Sequence, residues 1–352
     1  MKTTLYDATA HDIARVLVGQ PAYRVKQVWQ ALYEQLRAPA DITNLPLSAR
    51  NELAAALPES LVWKTESTDA SGDTVKFLWN LCDGGHPIET VLMLYPNRAT
   101  VCVSTQAGCA MGCGFCATGQ AGFNRHLSAG EIVEQVVKAA RRAKEIGHRV
   151  SNIVFMGMGE PLVNEAATLA AVERIHDDIG ISARHLTIST VGIVPGIRRL
   201  ARWPLPVNLA VSLHAARDEL RDELVPINKR YPIEDLVAAC NDYLDQRHRR
   251  VSFEWALIDR VNDTRRDANE LARLCKRLRP SAHVNLIPLN PTPGWPTRGS
   301  SPRRVQEFAD ILVGLGVNAT VRRNRGTDID AACGQLAAGQ TITPVHLGRT
   351  EN

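Results

Sequence analysis

Three cysteines at C-x3-C-x2-C spacing, Cys109-Ala-Met-Gly-Cys113-Gly-Phe-Cys116, are the residues best suited to chemistry in this chain. Three thiolates can hold three irons of a cubane cluster and leave the remaining iron open to an incoming molecule, whereas an electron carrier needs a fourth cysteine. Structural zinc is the alternative, with Cys102 or His126 as fourth ligand, although zinc sites usually pair their cysteines two by two at separated places. Of the eight cysteines, Cys102, Cys109, Cys113 and Cys116 crowd into one short stretch. That is unlike a disulfide framework, and in a reducing compartment it points to metal or redox chemistry.

Gly157-Met-Gly159-Glu160-Pro161 follows a strand-like run and superficially matches a dinucleotide-binding loop. It fails that test, because Leu162 stands where the third glycine belongs and Pro161 interrupts the turn. Its glycines would still let the backbone approach a ligand closely, beside an acceptor carboxylate on Glu160. Cys333 lies in a short loop between Ala332 and Gly334. Taken alone it reads as a small buried residue, as do Cys240 and Cys275 on expected helices and Cys82 beside an expected turn. Glu89 interrupts an apolar strand with Val91 and Met93 on its face, a setting that suits a general base.

The elements that must carry these residues alternate from about residue 97. Expected strands are Thr100 to Ser104, Ile153 to Gly157, His185 to Ser189, Val207 to Leu213, Val251 to Ile258 and Val284 to Leu289, with helices between them. One helix is marked by the capping box Ser128-Ala-Gly-Glu131 and by the stripe Ile132, Val133, Val136, Val137 and Ala140. Six such units imply an α/β fold: a parallel sheet curled into a partial barrel, with functional loops at the strands' C-terminal ends. Residues 1 to about 60 read as helices. Val75 to Trp79 and Ile88 to Leu94, joined by the turn Asp83-Gly84-Gly85, read as a β-hairpin. Pro288 to Arg304 is an expected loop, and the residues after Gly339 an expected tail.

With 352 residues, 45% of them hydrophobic, the chain can build a sizeable core. No apolar run reaches the roughly 20 residues of a membrane span and the start does not resemble a signal peptide, so no membrane partner and a cytoplasmic location are expected. The net charge of +4 is mild. Basic residues nevertheless come in groups, among them Arg141-Arg142-Ala-Lys144, Arg247-His-Arg-Arg250 and Arg322-Arg-Asn-Arg325, which on one face would bind phosphates.

The cysteine spacing, with an aromatic residue before the last cysteine and a strand before the first, resembles the radical S-adenosylmethionine superfamily. The runs Arg98 to Cys109, Gly119 to Arg125, Met156 to Pro161, Val225 to Lys229 and Asp328 to Leu336 resemble, within it, the RlmN/Cfr family of adenine methyltransferases, nearly end to end. Arg325-Gly-Thr-Asp-Ile-Asp330 looks more like the branch that modifies adenine C2 than the branch that modifies C8. The resemblance implies a radical S-adenosylmethionine partial (β/α)6 barrel (residues 96–320), an N-terminal accessory, RNA-binding domain (1–95) and a C-terminal segment (321–352). It implies a 4Fe-4S cluster on Cys109, Cys113 and Cys116, with Gly159, Glu160, Ser189, Ser212, Leu213, His214 and Asn290 around S-adenosylmethionine. It makes Cys333 the methyl carrier, Cys102 its redox partner and Glu89 the base. The implied partners are 23S ribosomal RNA, transfer RNA and a reductant such as flavodoxin or ferredoxin.

Overall fold

The computed structural model describes residues 3–292 and 298–339. Part of the expected loop between Pro288 and Arg304, and the expected tail after Gly339, lie outside these residues. Helices α1 (Ala10–Val16), α2 (Tyr23–Tyr33) and α3 (Leu47–Ala56) precede β1 (Leu61–Thr68), β2 (Thr74–Leu81) and β3 (Ile88–Tyr95). The chain continues through β4 (Arg98–Cys102), β5 (Gln106–Gly108), α4 (Ala117–Gln120), β6 (Phe123–His126), α5 (Ala129–Glu145), β7 (Val150–Phe155), α6 (Glu165–Asp177) and β8 (Leu186–Thr190). It then runs through α7 (Val194–Arg202), β9 (Asn208–Ser212), α8 (Asp218–Leu224), α9 (Ile233–Arg247), β10 (Val251–Leu257), α10 (Arg265–Cys275), β11 (His283–Pro288), α11 (Pro302–Gly314) and β12 (Ala319–Val321).

Ten strands make one sheet in the order β1-β2-β3-β4-β7-β8-β9-β10-β11-β12. From β4 to β12 every neighbouring pair is parallel. The six expected strands are β4 and β7 to β11, so the architecture is the partial (β/α)6 barrel. Their burial on both faces explains their legibility: Leu209, Ala210, Val211, Phe253, Trp255, Val284 and Leu286 are all buried. β12 adds a seventh parallel strand. Its three residues, Ala319-Thr-Val321, are half-buried to exposed and carry no periodic signal.

The hairpin β2–β3 forms as expected, and β1 extends it, but these strands do not stand apart from the barrel. β3 pairs antiparallel with β4, setting Val91 opposite Cys102, so the sheet runs without a break through residue 95. The N-terminal segment is also fastened to α5. Ser128 caps that helix through the expected box with Glu131. The Asp7 carboxylate accepts from the Ser128 hydroxyl (2.8 Å) and the Gly130 N–H (2.7 Å) at the same end. A Cβ at residue 130 would stand 2.5 Å from Asp7, which is why only glycine fits there. The expected loop to Arg304 ends earlier, at Ser301, whose hydroxyl caps α11 ahead of Pro302. No helix among the described residues is long and apolar enough to cross a membrane.

Candidate active site

The loops after the parallel strands enclose a cavity at their C-terminal ends. Cys109, Cys113, Cys116, Gly159, Glu160, Ser189, Ser212, His214 and Cys333 all line it, bringing together most of the residues singled out in the sequence. Leu213, Asn290, Cys102 and Glu89 do not line it. Leu213 is fully buried, offering its backbone N–H to the Glu254 carbonyl (3.0 Å). Asn290 works from behind, donating to the Cys333 carbonyl (3.1 Å) and accepting from Asn324 (2.6 Å), which anchors the Cys333 loop. Cys240 and Cys275 are buried on their helices as expected, whereas Cys82 is exposed, because the turn after β2 carries it out of the sheet.

The three clustered thiols share one wall, in a loop held by Cys109 N–H to Gly122 O (2.8 Å) and Cys116 N–H to Cys113 O (3.1 Å). Burial pushes the Cys109 thiol up to about 12 and raises Cys113 further in direction, each opposed in ionising by its neighbours. Such thiols stay neutral until a metal displaces their protons. Among the described residues no three Cys, His, Asp or Glu side chains converge as one bare metal ion requires. A cubane is several ångströms across and takes its thiolates from separated positions, so this donor set fits the cluster. Of the two alternative fourth ligands, His126 is engaged with Gln106 (3.0 Å) and Cys102 lies away from the cavity wall, on β4.

The Gly157–Pro161 loop is pressed onto the chain's own backbone. A Cβ at residue 157 would meet the Val103 carbonyl at 2.7 Å, and one at residue 159, where φ is +100°, would meet Gln106 at 2.6 Å. This close fit sets Glu160, 2% exposed, at the cavity. Its carboxylate accepts from the backbone N–H groups of Val191 (2.8 Å) and Leu162 (3.1 Å). Burial outweighs these donors and pushes its pKa up to about 7. A carboxylate with acceptor capacity left and a cost of burial is matched to a cationic ligand group such as an ammonium. His214 is neutral, with its pKa pushed down to about 3 by burial and the nearby Arg221. Its Nδ1 accepts from the Ala256 N–H (3.0 Å), so Nε2 carries the ring proton. Phe115 meets the imidazole edge-on at 4.8 Å.

Cys333 is exposed to the cavity rather than to bulk solvent. The protein around it raises its thiol pKa, and Arg322 opposes that shift. Burial raises the pKa of Cys102 strongly, and a Cys333 thiolate would raise it further. The Cys333 loop is tied to the cluster loop by Ala117 N–H to Gly334 O (2.7 Å) and Thr118 to Leu336 O (2.5 Å). Glu89, 3% exposed, pairs with Lys76 (3.0 Å) and accepts from the Ala338 N–H (3.0 Å). It shares a face of the sheet with Val91, opposite Cys102.

Sequence reading passed over the wall residue Glu254, took Arg322, also in the wall, only as part of a phosphate-binding group, and missed the fully buried Arg221, which donates to the carbonyls of Val191 (2.6 Å) and Leu213 (3.0 Å). A signal existed for Glu254. It is the one acid in Val-Ser-Phe-Glu-Trp-Ala-Leu257, the same pattern that marks Glu89.

The superfamily model for radical S-adenosylmethionine proteins matches residues 103–275. A protein of Chloroflexus aurantiacus named as a probable dual-specificity RNA methyltransferase RlmN is 48% identical, over 96% of this chain and 93% of its own. One of Mycobacterium marinum with the same name is 50% identical over 95% and 93%. The crystal structure of a radical S-adenosylmethionine methyltransferase from Sphaerobacter thermophilus superposes with a TM-score of 0.91 at 51% identity, over 96% of this chain and 99% of that one. The cluster-ready cysteines, the acid-lined cavity and this end-to-end likeness agree: the chain belongs to the RlmN family of radical S-adenosylmethionine RNA methyltransferases, enzymes that use a 4Fe-4S cluster and S-adenosylmethionine.

Proposed function

We propose that this enzyme methylates C2 of an adenine in 23S ribosomal RNA and transfer RNA, by way of a methylated Cys333 and a covalent protein–RNA intermediate. The observation that carries the reading is a second pair of cysteines besides the cluster trio: Cys333 exposed to the cavity and Cys102, buried behind it on β4, within its electrostatic reach. Adenine C2 is a poor nucleophile, so displacement of a methyl cation by the base itself is unfavourable. Cys109, Cys113 and Cys116 would hold the cluster, which with S-adenosylmethionine bound would supply the one-electron chemistry needed to abstract a hydrogen atom.

The chain's own residues do the rest. Cys333 takes a methyl group onto sulfur by ordinary displacement, losing its thiol proton. Removal of one hydrogen atom from that methyl leaves a carbon radical that adds to C2 and joins enzyme to RNA. Glu89 removes the C2 proton, and the surplus electron of the adduct would return to the cluster held by Cys109, Cys113 and Cys116. Cys102, as its thiolate, then attacks the Cys333 sulfur; the sulfur–carbon bonding pair leaves with the methylene carbon, which takes up a proton to become the methyl group, and the disulfide that remains is reduced by an external reductant, flavodoxin or ferredoxin. Gly159, Glu160, Ser189, Ser212 to His214 and Asn290 serve the cofactor, with Glu160 on its ammonium.

The target adenine reaches the barrel unpaired or flipped. Residues 1–95 and the basic groups grip the surrounding RNA, residues 96–320 are the catalytic core, and residues 321–352 deliver Cys333. The enzyme works in the cytoplasm, where its RNA is. The test is mass spectrometry of RNA nucleosides from a deletion strain with and without this gene. Restored 2-methyladenosine in both RNAs is expected; 8-methyladenosine in its place would overturn the C2 assignment.

A further inference from the structure

Glu254 is a cavity-wall residue with no part in the scheme above. It is 4% exposed, on β10 between β9 and β11. Its Oε1 is satisfied by Asn285 (2.7 Å) and Ser252 (3.2 Å). Its Oε2 is buried, and among the described residues no donor reaches it. A buried carboxylate oxygen left unpaired is costly, so a site that keeps one is built for a donor that arrives with a ligand.

The surroundings identify that donor. Ser212 stands directly opposite Glu254 in the β9–β10 register and Asn285 opposite it in β10–β11, forming one polar row across three strands inside the barrel. Toward the mouth, Phe115, Ala256 and Leu289 make an apolar wall suited to a flat base. Burial raises the pKa of Glu254 and Arg322 opposes that shift, so one cation already lies within electrostatic reach of this carboxylate. The cofactor's ammonium has its own carboxylate in Glu160, past the end of β7. The Glu160 carboxylate sits on the Val191 N–H just past the end of β8, whereas Glu254 lies on β10, so the two acids stand at different strands around the barrel. That matches a ligand whose charged amine and neutral hydroxyls lie at different points along its length.

We propose that the Glu254 carboxylate accepts hydrogen bonds from the ribose hydroxyls of S-adenosylmethionine. It works beside Ser212 to hold the nucleoside half of the cofactor while Glu160 holds the amino-acid half. This assignment stands whichever RNA position is methylated.

The test measures binding without turnover. Reconstituted wild-type protein and Glu254→Gln are equilibrated anaerobically with S-adenosylhomocysteine and with its 2′-deoxy and 3′-deoxy analogues, and dissociation constants are read by equilibrium dialysis. In the wild type, at least one deoxy analogue should bind about tenfold more weakly than the parent, the loss expected for a hydrogen bond to a charged group. In Glu254→Gln the parent should itself be weakened about tenfold and the deoxy penalty should fall below about threefold. A penalty undiminished in the variant, or unchanged binding of the parent, would overturn the proposal. Should Glu254→Gln fail to hold labile sulfide or fold, the wild-type arm decides: no penalty for either analogue refutes the assignment.

Discussion

Cofactor binding should be coupled to the ionisation of Glu160, and the structure sets both the sign and the size of the effect. Burial raises this carboxyl from 4.5 to about 7, so in the empty site the neutral form is favoured. The folded apoprotein therefore binds a proton that the unfolded chain lacks between these values, and its stability falls as pH rises from 4.5 through 7. An ammonium docking on the carboxylate reverses this preference, and affinity is lost as pH falls through 7. If docking restores an ordinary carboxylate pKa, the coupling is 7 minus 4.5, at about 1.4 kcal/mol for each pH unit, or about 3 kcal/mol. No solvent-screening discount applies, because the group is buried. The assay is equilibrium dialysis of S-adenosylhomocysteine against anaerobically reconstituted protein between pH 7.5 and 5.5, below the range where the ligand's own amine deprotonates. Relative to pH 7.5, affinity should drop about eightfold at pH 6 and about twentyfold at pH 5.5. Glu160→Gln should bind weakly throughout and show no slope. A flat profile in the wild type, or a slope that survives in the variant, would refute the assignment of Glu160 to the ammonium.

Other outcomes follow from the same geometry. Cys109→Ala, Cys113→Ala and Cys116→Ala should each lose iron and acid-labile sulfide after anaerobic reconstitution, and stoichiometric zinc without sulfide in the wild type would contradict a cluster. Cys102→Ala should still methylate Cys333 and add to RNA but fail to release it, giving a nuclease-sensitive shifted band on a denaturing gel; adding Cys333→Ala should abolish the band, and normal turnover by Cys102→Ala would remove Cys102 from the mechanism. Gly159→Ala combines a positive φ with a Cβ 2.6 Å from Gln106, so thermal unfolding of the apoprotein should show a loss of about 2 kcal/mol or more, and an unchanged melt would mean the loop can relax.

The barrel was readable because its strands are short segments rich in apolar residues, most plainly Ile153 to Met156 and Val207 to Leu213, repeated at intervals with helical stretches between them. β12 and β1 were not, for the opposite reason. β12 is three residues at one edge of the sheet, and β1 exposes Val62, Trp63 and Lys64 at the other, so neither shows a period. The continuity of β3 with β4 was hidden for another reason: strand pairing depends on partners outside the local sequence, and the hairpin pattern alone reads as a separate unit. At the site, the cysteines and the Gly157–Pro161 loop announced themselves by composition, while Asn290 and Arg221 act on backbone carbonyls brought close only by folding. Glu254 and Glu89 look identical in sequence, each a lone acid in an apolar strand. Only the structure distinguishes them: Glu89 has Lys76 as its ion-pair partner, and Glu254 keeps a bare oxygen.

The central claim is that the methyl group reaches RNA through Cys333, and a single-turnover isotope experiment tests it directly. Unmethylated, reconstituted enzyme is given S-adenosylmethionine with a CD3 methyl group, reductant and substrate RNA, and protein and nucleosides are analysed by mass spectrometry. The account predicts that label appears first on Cys333 and that the RNA methyl then carries two of the three deuterons, the third having been abstracted on the way. RNA that gains all three deuterons, with no label on Cys333, would contradict it.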